Sequence, residues 1–105
     1  MSNNPNAIIK SLEITNNYAL ADGIEKNTIL ALVCDDNDTP LPGQVVTFEV
    51  GPGANITSQV STNVLGQALT SLTSTTAGGY TVTASVNPGY IWAVGPIIFV
   101  ESRGK

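Results

Sequence analysis

The residues of this chain best suited to chemistry are its carboxylates, and they fall into two groups. Asp35, Asp36 and Asp38, with Asn37 between them, place three acidic side chains within four positions, the composition that attracts a hard cation such as calcium. The pattern stops short of a complete ligand loop, because no Gly sits at the sixth position and no Glu follows at the twelfth. The expected role of the cluster is therefore a turn whose Asp and Asn side chains bond nearby backbone groups. The second group is Glu13, Glu25, Glu49 and Glu101. Paired carboxylates can act as acid and base on a glycosidic bond, but these four belong to separate strands or loops and no pairing is expected. The chain has no His and one Cys, Cys34. A Ser-His-Asp or Cys-His nucleophile pair cannot be assembled, nor a zinc site built from Cys and His. Gly51-Pro52-Gly53 lacks the following Lys-Ser/Thr and helix start of a phosphate cradle. The expectation is a chain with no catalytic, cofactor-binding or metal-binding residues.

What remains is contact chemistry. Tyr90, Ile91 and Trp92 form an aromatic-rich cluster placed between two strands, where it serves either as a contact hot spot or as a cap over one end of the fold. Leu30, Leu32 and Leu69 occupy positions that strand alternation turns outward, and so form a small apolar patch that a partner could cover. Two acceptor patterns for N-glycosylation, Asn37-Asp38-Thr39 and Asn55-Ile56-Thr57, have little weight, since such matches are frequent by chance.

The elements that must position these residues are strands. From Asp35 to Ala84, short alternating runs of Val, Thr, Leu and Phe are interrupted by Pro, Gly, Asn and Asp at intervals of roughly ten residues, the rhythm of an antiparallel sandwich. Strands are expected over residues 7–15, 27–35, 44–50, 67–74, 80–86 and 96–101. Residues 55–64 form a short edge strand or extended loop. That makes about seven strands in two sheets, an all-β immunoglobulin-like sandwich, with no helix longer than a turn. Ile29, Ala31, Val33, Val46, Phe48, Leu72, Val82 and Ala84 are the expected core. Leu12 and Ile14 should also point inward. Tyr80 opens its strand after Gly78-Gly79 and suits a corner tyrosine that bonds back to the backbone. Residues 1–6 read as a flexible N-terminal tail, 7–101 as the domain and 102–105 as a C-terminal tail.

Composition narrows the partners. The 105 residues hold one core. With a net charge of −4 and only Lys10, Lys26, Arg103 and Lys105 as basic residues, no stripe could neutralise several phosphates, so nucleic acid is not an expected partner. No apolar run reaches the roughly 20 residues of a membrane helix, so no membrane insertion by this domain is expected. The start, MSNNPNAIIK, lacks the pattern of a signal peptide. A chain acting outside the cell would carry its export signal elsewhere or leave by another route. A lone Cys excludes the inter-sheet disulfide of antibody domains.

Several blocks, in order, resemble one family. They are Ala21-Asp22-Gly23, then Asp35 with Pro40-Leu41-Pro42-Gly43-Gln44 and Val46-Thr47-Phe48, then Asn63, Gly66 and Ala68 with Leu72-Thr73-Ser74. The last is Ala77-Gly78 with Tyr80-Thr81-Val82-Thr83-Ala84. Over about Leu12 to Val86 the chain is similar to the bacterial immunoglobulin-like domains of group 1, the repeated modules of the intimin and invasin adhesins. The resemblance implies a non-catalytic module, a rigid spacer or interaction domain, in a larger outer-membrane-anchored protein on the bacterial cell surface. Its partners would be neighbouring modules of the same protein and a host surface protein or glycan. Two other readings stay open: a module that itself grips a host ligand, and a domain of a phage particle. The chain departs from the family's pattern in lacking Gly near Asp38-Thr39, in carrying Leu30, Leu32 and Leu69 where polar residues are usual, and in the segment around Tyr90 and Trp92.

Overall fold

A computed structural model describes residues 6–87 and 90–101, Tyr90 by its backbone alone; the expected tails lie, apart from Asn6, outside the described residues. Among those residues there are nine strands and no helix. They are β1 (Ile8–Asn16), β2 (Ala19–Leu20), β3 (Asn27–Cys34), β4 (Val45–Val50), β5 (Ala54–Ile56), β6 (Gln59–Ser61), β7 (Gln67–Ser74), β8 (Gly78–Asn87) and β9 (Tyr90–Val100). One sheet has the order β1-β3-β7-β5 and the other β2-β9-β8-β4-β6. Every pairing is antiparallel except β2 with β9, which is parallel.

The expected sandwich is present, with two more strands than the seven expected. Residues 55–64 are not one edge element. β5 closes the first sheet against β7, and β6 closes the second against β4, so the chain changes sheets between Ile56 and Gln59. The connection after β1 hides the short strand β2, which changes sheets in the same way. Gly78 and Gly79 belong to β8 rather than to a turn before it, and β9 begins at Tyr90 rather than Pro96. The short strands escape a pattern search because two or three residues cannot show a period.

All eight expected core residues are buried. They meet Ile9, Ala68, Val86, Ile97 and Phe99 between the sheets, with Leu12 and Ile14 packed against them from β1 at partial burial. Cys34, expected on the outer face with Leu30 and Leu32, is instead buried. It stands at the end of β3, opposite Ile8 and bridged to Pro40, so the following turn folds over it.

The blocks that carry the family resemblance include the turn-makers of the fold. Asp22 Oδ1 accepts the N–H groups of Ile24 at 2.8 Å and Glu25 at 2.9 Å. Asp35 Oδ1 accepts those of Asn37 at 2.8 Å and Thr39 at 3.0 Å. Asn63 Oδ1 accepts those of Leu65 at 2.9 Å and Gln67 at 3.0 Å. Gly66 follows at φ 75°, where a Cβ would lie 2.4 Å from the Val33 carbonyl oxygen, so no other residue fits. Asp38 adopts φ 65° in the loop after β3. Asp tolerates the left-handed region better than most residues.

Tyr80 fills the corner role. Its hydroxyl donates to the Thr76 carbonyl at 2.8 Å and lies 3.1 Å from Ser74 Oγ, while its ring meets Phe99 edge-on with centroids 5.8 Å apart. Tyr80→Phe should keep the fold and cost about 0.5–1.5 kcal/mol, the worth of one hydrogen bond. Urea unfolding measures it, and a loss under a few tenths would show the bond to be incidental.

Candidate functional site

The acidic cluster binds its own loop. The Asp35 carboxylate is occupied by two backbone N–H groups, and Asp38 is paired with Lys10 at 3.0 Å across exposed surface. Among the described residues no three His, Cys, Asp or Glu side chains are grouped to hold a metal ion. Melting temperatures in calcium and in chelator should agree within a degree or so, because a ligand stabilises only a state that binds it. A rise of many degrees in calcium would reveal a site.

The four glutamates are dispersed. Glu13 is exposed on β1 and Glu49 on β4, in different sheets. Glu25 accepts the Leu20 N–H at 3.2 Å, and Glu101 follows β9. Two surface depressions are also poor in chemistry. One, of about 490 Å³, is lined by Ala21, Thr75, Thr76, Ala77 and Glu101; the other, of about 290 Å³, by Lys26, Asn55, Ile56, Thr57, Ser71 and Thr73. Each holds one ionisable group, so neither pairs an acid with a base.

One carboxylate is perturbed. The N–H of Glu25, and next that of Ile24, holds the Asp22 carboxyl below its ordinary range by bonding the charged form. A depressed folded-state pKa contributes stability that is present above the ordinary carboxylate range and lost as pH falls through the folded value. The stability gap between the natural chain and Asp22→Ala should therefore be level from neutral to mildly acidic pH and shrink below that range. A gap that widens in acid would contradict the assignment.

The apolar residues expected to offer a contact surface fall in two places. Leu30 on β3 and Leu69 on β7 are direct cross-strand partners on the outer face of the first sheet. Leu69 is 56% exposed, whereas Leu30 and Leu32 are half-buried, more covered than alternation alone suggests. β1 supplies the cover. It sets Glu13 beside Leu30 and Ser11 beside Leu32, and β7 sets Gln67 on the other side of Leu32. The three leucines thus share one face, with Leu69 as its one largely open member.

Trp92 belongs to a strand, not to a loop between strands. It lies within β9 opposite Ala84 and is 42% exposed, with Ile91 beside it 68% exposed. Sequence reasoning placed both in a loop because the run Tyr90 to Val94 follows a Pro-Gly turn and leads into Gly95-Pro96, which reads as a second break. Gly95 instead forms a bulge in β9, where a Cβ would lie 2.9 Å from the Tyr80 carbonyl oxygen. The Tyr90 side chain lies outside the described residues.

Sequence reasoning missed Asn27. It is fully buried, donates from Nδ2 to the Ile98 carbonyl at 2.9 Å and accepts the Ala19 N–H on Oδ1 at 3.0 Å. Its position in phase with Ile29, Ala31 and Val33 was the available signal.

Residues 9–94 match the profile of the family described as bacterial Ig-like domain (group 1). The chain belongs to this family. As a group 1 domain it is 47% identical over 64 residues to the inverse autotransporter adhesin YeeJ of Escherichia coli (strain K12), a match covering 59% of this chain and 3% of that protein. Among solved structures it is similar to the D0-D1 domain of intimin, with a TM-score of 0.81, 29% identity, and coverage of 89% of this chain and 48% of that one. It is also similar to invasin, described as a bacterial integrin-binding protein, with a TM-score of 0.76, 31% identity, and coverage of 87% and 19%. A third similar structure is a C-terminal fragment of intimin in complex with the translocated intimin receptor, with a TM-score of 0.79, 28% identity, and coverage of 87% and 32%. This group 1 domain spans 3% of the Escherichia coli adhesin and between 19% and 48% of these solved chains.

Proposed function

We propose that this domain is a non-catalytic spacer in a bacterial cell-surface adhesin, set end to end with neighbouring modules. The observation that carries the reading is the placement of the two ends of the chain. Ala7 lies at one pole, its carbonyl accepting from Asn87 Nδ2 at 2.9 Å. Val100 leaves at the other, paired with Leu20 one residue beyond the Phe99–Gly78 pair. β8 runs between these poles from Gly78 to Asn87, a rise of roughly 30 Å at about 3.3 Å per residue. Tension applied at Ala7 and Val100 is thus carried along the strands by the ladders between them. Turns capped by their own side chains, and the dispersal of Glu13, Glu25, Glu49 and Glu101 over separate strands and loops, fit a part that bears tension better than a reactive one. The relatives named as adhesins support a surface location and a host protein as the partner of the whole protein.

The test is exchange of this module, within the full protein, for an unrelated Ig-like domain of equal length. Antibody to the new module should still label intact cells, and adhesion should persist. Deletion of the module should shorten the reach and weaken adhesion. Loss of adhesion on exchange would assign ligand binding to this domain, and labelling of phage particles alone would remove the adhesin reading.

A further inference from the structure

Each sheet edge must be guarded or paired, because an edge strand offers unpaired N–H and C=O groups to any other extended chain. Three edges here are guarded. β5 and β6 have three residues each, and β1 carries Lys10, Glu13 and two bulges. The fourth edge is different. β2 pairs with β9 only at Phe99 and Val100, so the outer side of β9 from Ile91 to Gly95 has no partner among the described residues. β9 contains no charged residue over its 11 positions, Tyr90–Val100. Its guards are Gly95 and Pro96, which end the free stretch without protecting it.

We propose that this stretch of β9 pairs antiparallel with the same stretch of a second copy, joining two sheets across a two-fold axis at Ala93. Unpaired backbone groups select an extended chain as the occupant, and the side chains select a copy of this one. With Ala93 facing itself, Trp92 of each copy stands opposite Val94 of the other, and Ile91 opposite Gly95. Trp92 and Val94 share the core-side face, opposite buried Ala84 and Val82. Trp92 stays 42% exposed because the sheet stops beside it, and the second copy supplies the missing neighbour. Ile91, 68% exposed on the other face, meets a glycine that leaves it room. Each large residue faces a smaller one, the residue at the axis is small, and no like charges meet. Such a short edge buries less than the roughly 1,000 Å² typical of stable interfaces, so the pairing is weak and concentration-dependent. It suits molecules held side by side on one surface, and it stands whether or not the spacer reading does. Because the chain carries a net charge of −4, added salt should strengthen the association.

The experiment is sedimentation equilibrium of the full chain from about 10 µM to about 1 mM, in the range where weak dimers form. The mass should rise from 10.9 kDa towards twice that value. Amide exchange at Ile91–Val94 should slow as concentration rises. Ala93→Lys sets two like charges at the axis and should weaken association at least tenfold with no change in melting temperature. Ala93→Glu should do the same, and an equimolar mixture of the two variants should associate again, since opposite charges on facing strands attract. Four results would overturn the proposal. They are a natural chain that stays monomeric throughout, association that survives Ala93→Lys, association abolished instead by replacing Leu30, Leu32 and Leu69 with Thr, and protection of Ile91–Val94 that appears only with an added extended peptide.

Discussion

Replacing Phe48 with Ala is expected to destabilise the domain by about 3–5 kcal/mol, the range for truncating a buried aromatic side chain. Phe48 is fully buried in β4 and faces Ala84 on β8, so the small residue beside it leaves the ring to fill the space between the sheets. Its backbone is fixed as well, with the N–H donating to the Ser58 carbonyl at 2.7 Å. Strands held in ladders on both sides cannot collapse into the gap, so the cost should fall in the upper part of the range. Domains of this size have about 5–15 kcal/mol in total, and each kcal/mol moves the melting temperature by about 4–8 °C. A fall of more than about 12 °C is expected on that scale. Urea unfolding should show a lower midpoint at unchanged slope. A loss below about 1 kcal/mol would mean that the ring does not hold the sheets together.

The second large effect is expected at Asn27. Its side chain joins β3 of one sheet to β2 and β9 of the other through Ala19 and Ile98. Ile98 keeps a partner when Asn27 is removed, because its carbonyl also accepts the Tyr18 N–H at 3.0 Å. Ala19 is buried, and its N–H loses the Asn27 acceptor when the side chain is truncated. Asn27→Ala should cost about 2–4 kcal/mol, for two lost hydrogen bonds and one donor left without water. Asn27→Leu restores volume but not the acceptor, and should remain destabilised. Hydrogen exchange at Ala19 and Leu20 should accelerate in both variants more than exchange in the centre of β3. A Leu variant as stable as the natural chain would show that packing, not hydrogen bonding, is what this position supplies.

Asn27 also marks the limit of what alternation reveals. Ile29, Ala31 and Val33 are buried as their spacing requires, and Val46, Phe48, Val82 and Ala84 follow the same rule. In each case one face of a long strand meets the opposing sheet, and the two-residue period prints that face into the sequence. The turn blocks were equally legible, since Asp22, Asp35 and Asn63 each bond backbone groups only a few residues further along the chain. Asn27 has the same phase as its buried neighbours, but its partners are 8 and 71 residues away, and no local pattern encodes them.

The outward apolar residues divide along the same line. The shared outer face of Leu30 and Leu69 follows from alternation and from the adjacency of their strands in an immunoglobulin-like sheet. How far each is covered does not, because that depends on which residues of β1 lie alongside. Trp92 shows the larger gap. Two prolines and two glycines around it read as loop, yet the chain stays extended through a bulge at Gly95 and pairs with β8 to the end.

The sequence by itself thus determined the sandwich, its core face, its capped turns and its family, because strand period and turn chemistry act over a few residues. Only the tertiary structure decided where the chain changes sheets, which buried polar group ties the sheets together, and which edge is left open. Those are properties of pairing between distant segments, set when the sheets close on each other, and among the described residues the edge of β9 is open because β2 stops after two residues.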